Sequence, residues 1–225
     1  MAVDAPGHGT HFEPDPRRTV GYRICRFIFE AIVGTWFRPL VTGRANIPAE
    51  GPVILAPVHR SFADFGFCAF VSKRKLFFMA KDEMWERKWL GKLLIYLGAF
   101  PVHRASADRS AMRHAEEVLR RGEVLVMFPE GTRREGAKIE DLQEGAAFLA
   151  ARTGAVLVPI GIGNSDLAMP KGKLIPKPLK IRVVVGQAMP PPERSEGGRV
   201  ARSKVHAATT ELGERIQQVY DQARR

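Results

Sequence analysis

Apolar positions in this chain follow two regimes. Between Val20 and Arg38 they fall at Ile24, Cys25, Phe27, Ile28, Phe29, Ala31, Ile32, Val33, Trp36 and Phe37, while Arg23, Arg26, Glu30, Gly34 and Arg38 return every three or four residues. That spacing predicts a helix with a narrow polar stripe and a very wide apolar face. A wide face edged by Trp, Phe and Arg suits a helix lying in a bilayer interface, and the competing reading is a helix packed into the protein's own core.

After Arg44 the pattern changes to short continuous apolar runs separated by helical stretches. The runs Val53–Val58, Leu76–Ala80, Ala99–Val102, Val124–Phe128, Ala155–Ile160 and Ile181–Val185 read as strands. Helical spacing fills Phe65–Val71, Met84–Leu97, Ala107–Arg121 and Leu142–Thr153. Apolar strands alternating with helices predict an α/β fold with a largely parallel central sheet covered on both faces. A Pro- and Gly-rich stretch, 186–198, reads as a linker to a last helix with Val205, Leu212, Ile216 and Val219 on one side. The expected organisation is a flexible tail (1–19), a membrane-associating helix (20–43), a catalytic domain (44–190), and a linker with a C-terminal helix (191–225).

Composition narrows the classes. With 225 residues, 45% of them hydrophobic, the chain is long enough for one large domain with a real core. Its net charge of +11 implies a polyanionic partner: nucleic acid, an anionic membrane face, a phosphorylated substrate or an acidic carrier protein. Two cysteines, Cys25 and Cys68, cannot build a disulfide framework, and residues 1–19 are polar and Pro-rich rather than a signal peptide. A reducing, cytosolic setting is expected. No uncharged apolar run approaches the roughly 18 residues of a spanning helix, so the chain is expected to lie on a membrane and not to cross it. The six histidines show no zinc-like spacing, and no metal is expected.

Candidate chemistry clusters just past the predicted strands. His59-Arg60-Ser61-Phe62-Ala63-Asp64 offers a general base and a carboxylate to fix its tautomer. Five residues along an ideal helix rotate about 140°, so the two side chains meet only if His59 precedes the first helical turn. Phe128-Pro129-Glu130-Gly131-Thr132-Arg133 is a sharp turn carrying an acceptor and a cation suited to phosphate. Gly98-Ala99-Phe100-Pro101-Val102-His103-Arg104 places a second arginine past another strand, and Val158-Pro159-Ile160 is a further strand end. Each block alone also reads as an ordinary surface turn. Their convergence at strand carboxyl ends, where α/β sheets bind ligands, carries more weight.

These four blocks, in this order, resemble the glycerolipid acyltransferase family typified by 1-acylglycerol-3-phosphate acyltransferases. The family's first block is approximately Asn-His-x-Ser-x-x-Asp. The chain matches it at His59, Ser61 and Asp64 and departs at Val58. Gly98–Arg104, Phe128–Arg133 and Leu157–Ile160 are similar to the second, third and fourth blocks, Ala80-Lys81-Asp82-Glu83 to an Ala-Lys-x-Glu stretch, and Lys171–Pro190 to the closing strand. The resemblance runs from about Leu40 to about Pro190.

The resemblance implies acyl transfer from a thioester, acyl-CoA or acyl carrier protein, to the free hydroxyl of 1-acyl-sn-glycerol-3-phosphate, giving phosphatidic acid at the cytoplasmic face of the cell membrane. Glycerol-3-phosphate or another lysophospholipid is the alternative acceptor. His59 and Asp64 are the expected catalytic pair. Arg104, Glu130, Gly131, Thr132, Arg133 and, more weakly, Lys81 are expected at the substrate, with Glu130 ordering Arg133 or a glycerol hydroxyl. Ser61 reads as structural. No cofactor beyond the thioester co-substrate is implied. A non-catalytic basic protein that binds a membrane or nucleic acid is the rival from another class. No stacking-aromatic pattern or nucleic-acid motif supports nucleic acid.

Overall fold

The computed structural model describes residues 16–102, 108–170, 175–194 and 200–225. Seven strands form one sheet: β1 (Leu40–Thr42), β2 (Val53–Pro57), β3 (Leu76–Lys81), β4 (Ala99–Val102), β5 (Val124–Val126), β6 (Val156–Gly163) and β7 (Arg182–Val185). Their order across the sheet is β1-β7-β6-β2-β5-β3-β4. Every neighbouring pair is parallel except β6 with β7. The sheet is therefore mixed and mostly parallel, as the continuous apolar runs predicted. At its centre β2 is buried at all five positions, which a strand covered on both faces requires.

Seven α-helices accompany the sheet among the described residues: α1 (Pro16–Phe37), α2 (Asp64–Cys68), α3 (Lys88–Tyr96), α4 (Arg109–Arg120), α5 (Gly145–Thr153), α6 (Ser165–Ala168) and α7 (Arg202–Arg224). The stretch expected as one helix from Met84 to Leu97 is instead a 3-10 turn, Asp82–Trp85, followed by α3. Trp85 folds back against Gly91, where an added Cβ would lie 2.7 Å from the indole, and a straight helix would carry these two residues apart. Helices α4, α5 and α7 pack side by side on one face of the sheet. The β2-to-β3 step runs across the sheet in the opposite direction to β4-to-β5, so right-handed crossovers put α2 on the other face. There α1 joins it through an edge-to-face pair, Phe37 with Phe67, 5.2 Å between centroids. Helix α7 lies flush on β6. A Cβ on Gly161 would meet the Val219 carbonyl at 2.2 Å, and one on Gly163 the Ala223 carbonyl at 2.1 Å. Leu212, Ile216 and Tyr220 thereby enter the main core.

Helix α1 is inside-out relative to an ordinary surface helix. The middle of its polar stripe faces the protein: Arg26 bonds the carbonyls of Ala69, Ser72 and Arg74 just beyond α2, and its Nε meets Glu30 at 2.6 Å. Tyr22 and Phe37 are buried, but most of the large apolar residues face outward, with Phe27 73% exposed and Ile32 66%, alongside Val20, Ile24, Ile28 and Trp36. Among the described residues no helix is long and apolar enough to cross a membrane.

Candidate active site

The site is assembled at the carboxyl edge of the central strand. Beyond β2, the Val58 N–H donates to the Ile160 carbonyl (3.0 Å), and the chain then leaves the sheet at His59. Val58 stands where the family pattern has Asn, and it is fully buried in the apolar core. Asp64 is the first residue of α2, so His59 and Asp64 are separated by a loop and not by a helical turn and a half. The loop wraps the carboxylate: Asp64 Oδ2 accepts the N–H groups of Arg60 and Ser61, each at 2.7 Å, and faces His59 Nδ1 at 3.1 Å. A carboxylate accepts only, so in the neutral imidazole Nδ1 carries the proton and Nε2 the lone pair. Nε2 has no hydrogen-bond partner among the described residues. The ring is walled by Phe128, 4.1 Å between centroids, and by Phe65, 5.7 Å away and edge-on.

The turn after β5 holds the backbone of the same histidine from both sides. Glu130 Oε2 accepts the His59 N–H at 2.8 Å, while the Arg134 N–H donates to the His59 carbonyl at 3.0 Å. The two expected blocks are therefore one unit. Gly131 has φ 67°, the left-handed conformation that glycine adopts without strain, and its N–H closes onto the Phe128 carbonyl. That turn leaves Gly131, Thr132 and Arg133 exposed at the rim.

Glu130 has a different partner from the one expected. Its carboxylate is buried against Arg60, with Nη1 at 2.6 and 2.8 Å from the two oxygens, and both side chains are 1% exposed. Both oxygens are committed to Arg60 and the His59 amide, and Arg133 stands outside this network. Arg60 is the buried partner that reading the sequence passed over. It also donates to the carbonyls of Gly136 (3.0 Å) and Lys138 (2.8 Å) and lies 5.2 Å over the Tyr220 ring. From the same helix, Gln217 bonds the Ile139 N–H and the Ala137 carbonyl. Helix α7 thus buttresses the loop that follows Arg133. Burial first, opposed by Arg60, raises the Tyr220 phenol above its ordinary range.

The two nucleophiles nearest the pair in sequence are occupied or sealed. The Ser61 hydroxyl donates to the Met169 carbonyl at 3.0 Å. Cys68 is fully buried, and burial, helped by the charge of Asp64, pushes its thiol far above the ordinary range. Lys81 closes β3, parallel to and ending at the same edge as β5, but its side chain lies outside the described residues, as does the whole of Arg104. A groove of about 670 Å³ between residues 139–144 and α7 is lined by Glu140, Asp141, Glu144, His206 and Glu214, and includes neither His59 nor Asp64.

A family model described as Acyltransferase matches residues 38–163, from the end of α1 through β6. A 1-acyl-sn-glycerol-3-phosphate acyltransferase of Bacillus subtilis is 27% identical over 202 residues, 88% of this chain and 96% of that protein. The protein of that name from Chlamydomonas reinhardtii is 26% identical over 170 residues, 74% of this chain but 51% of its own length. The one from Streptococcus pneumoniae is 34% identical over 113 residues, 49% of this chain and 41% of its own. The chain thus spans nearly all of the Bacillus protein and about half or less of the other two. In fold it is similar to the crystal structure of the 1-acyl-sn-glycerophosphate acyltransferase from Thermotoga maritima, with TM-score 0.73 at 23% identity over 95% of this chain and 85% of that one.

Proposed function

The chain belongs to the acyltransferase family, and from that premise we propose that it moves a fatty acyl group from a thioester to the free hydroxyl of 1-acyl-sn-glycerol-3-phosphate. The observation that carries this reading is the His59–Asp64 pair, with one carboxylate oxygen gathering Nδ1 and two backbone amides and Nε2 left as the base. The relatives from Bacillus, Chlamydomonas and Streptococcus carry that acceptor in their names.

The chemistry follows from the donor and acceptor types. His59 Nε2 takes the proton of the acceptor hydroxyl as its oxygen attacks the thioester carbonyl. Asp64 holds the imidazole in the productive tautomer and stabilises the imidazolium. The tetrahedral intermediate collapses with cleavage of the C–S bond, and the thiolate leaves. Thiols ionise near pKa 8.5, so departure needs little acid assistance, and the imidazolium returns its proton to the thiolate or to water. No acyl-enzyme is needed, which fits a serine bonded to a carbonyl and a cysteine sealed in the core. Arg133, exposed on the turn that grips His59, is placed by this reading at the acceptor's phosphate, where a guanidinium binds two oxygens at once. Thr132, the Gly131 amide, Arg104 and Lys81 are assigned to the same anionic end.

Peripheral attachment to an anionic bilayer completes the reading, supported by the outward apolar face of α1 and the net charge of +11. The deciding experiment offers the purified protein a radiolabelled acyl thioester, CoA and carrier-protein forms in parallel, and a panel of acceptors. Label is expected in phosphatidic acid made from 1-acyl-sn-glycerol-3-phosphate, at the position a positional lipase releases. Label found only in the acylated product of glycerol-3-phosphate or of a phosphate-free lysolipid overturns the acceptor assignment.

A further inference from the structure

Helix α1 is not the only outward apolar feature. Residues 175–180, Ile-Pro-Lys-Pro-Leu-Lys, form an exposed segment between α6 and β7. Ile175 is 83% exposed, more than any other large apolar residue described, and Leu179 is 36% exposed. Lys177 and Lys180 are exposed between and beside them. A surface isoleucine in isolation carries no message. This one belongs to a pattern.

The segment is fastened to two places at once. Trp36, on the same outward stripe as Ile28 and Ile32, donates its indole N–H to the Pro176 carbonyl at 3.3 Å, and the Ile181 N–H donates to the Phe37 carbonyl at 3.2 Å. The segment therefore continues the apolar face at the C-terminal end of α1. On its other side the Lys177 N–H donates to the Ala168 carbonyl at 2.7 Å, and the next carbonyl, Met169, accepts the Ser61 hydroxyl inside the His59–Asp64 loop. Two hydrogen bonds, one between backbones and one from the Ser61 hydroxyl, thus connect the segment of an outward isoleucine to the catalytic block.

We propose that residues 175–180 are a second lipid-inserting element, which sits in an anionic bilayer beside α1 and brings the lipid surface to the rim of the His59 site, so that the lipid acceptor enters sideways from the membrane. The occupant follows from composition. Apolar side chains flanked by lysines match acyl chains below and anionic head groups at the interface. Proline at positions 176 and 178 removes two backbone N–H groups that would otherwise need partners in that medium. The lateral route rests on the proposed lipid acceptor; the insertion does not.

Flotation of the full chain on vesicles of equimolar phosphatidylcholine and phosphatidylglycerol tests insertion without any turnover. Ile175→Glu, on an exposed position and with α1 intact, is expected to reduce the bound fraction about tenfold. Lys177→Glu with Lys180→Glu is expected to reduce it several-fold at low salt and less at high salt. In Ile175→Trp, the added fluorescence is expected to be quenched by lipids brominated on their acyl chains. Flotation of Ile175→Glu like the parent, or no quenching in Ile175→Trp, overturns the proposal. A change from dimer to monomer on Ile175→Glu with unchanged flotation also overturns it and assigns the face to a second copy. For the lateral route, Ile175→Glu is expected to lose activity on vesicle-borne lysolipid while keeping it on a short-chain, water-soluble analogue. Equal loss on both defeats the route, and absence of transfer in the parent defeats the function and leaves the flotation result standing.

Discussion

The carboxyl edge of β2 and the outer face of α1 treat polarity in opposite ways. At the edge, charged groups are buried and almost every one is answered from inside: Glu130 by Arg60 and the His59 amide, Asp64 Oδ2 by two amides and an imidazole. On α1 Arg26 and Glu30 are answered by the protein, and large apolar groups such as Phe27 and Ile32 face mostly outward. A satisfied buried network fixes geometry and needs no outside help. An unanswered apolar face gains free energy only when something else covers it, at about 25 cal/mol per Å² removed from water. One region is built to hold atoms still, the other to be joined.

The contrast breaks most sharply at the base. His59→Ala is expected to abolish acyl transfer, a loss of at least about 10⁴-fold, in a chain that still folds by circular dichroism; near-parental activity would end the mechanism. Asp64→Asn keeps the shape but offers Nδ1 the wrong partner. The expected cost is about 10³- to 10⁴-fold in kcat, read in the same assay against a retained melt. The buried ion pair comes next. Arg60→Met alone or Glu130→Gln alone should cost about 3–5 kcal/mol in urea unfolding, because each strands a buried charge, and the double substitution should cost less than the sum. If either single change is silent, the edge is not the closed network described here. The smallest effect lies at the exposed rim, where Arg133→Ala should raise KM for the phosphorylated acceptor about tenfold and leave kcat nearly unchanged.

Much of this was legible in the order of residues. Six of seven strands follow from apolar runs, with ends displaced by at most three residues, as at Val124–Val126 against Val124–Phe128 and Val156–Gly163 against Ala155–Ile160. The missing strand, β1, has three residues and exists because Leu40–Thr42 pair with Arg182–Val184 far along the chain. No local pattern encodes such a partner. His59 and Asp64 were visible as a spacing that demanded a loop, and the loop is there. Arg60 was overlooked because its partner, Glu130, is 70 residues away. The signal existed: opposite charges three residues and four residues past the ends of β2 and β5, neighbours in the sheet. It becomes readable only once strand order is known.

The seat of α7 on two glycines has a practical corollary. A recombinant fragment trimmed to the span recognised by the acyltransferase model would stop at Gly163 and discard the helix whose Leu212, Ile216 and Tyr220 fill the core. Such a fragment would retain His59, Asp64 and Glu130 yet leave Arg60 without the aromatic ring against which it rests. Precipitation or inactivity in that piece would testify to a missing roof rather than to the wrong chemistry.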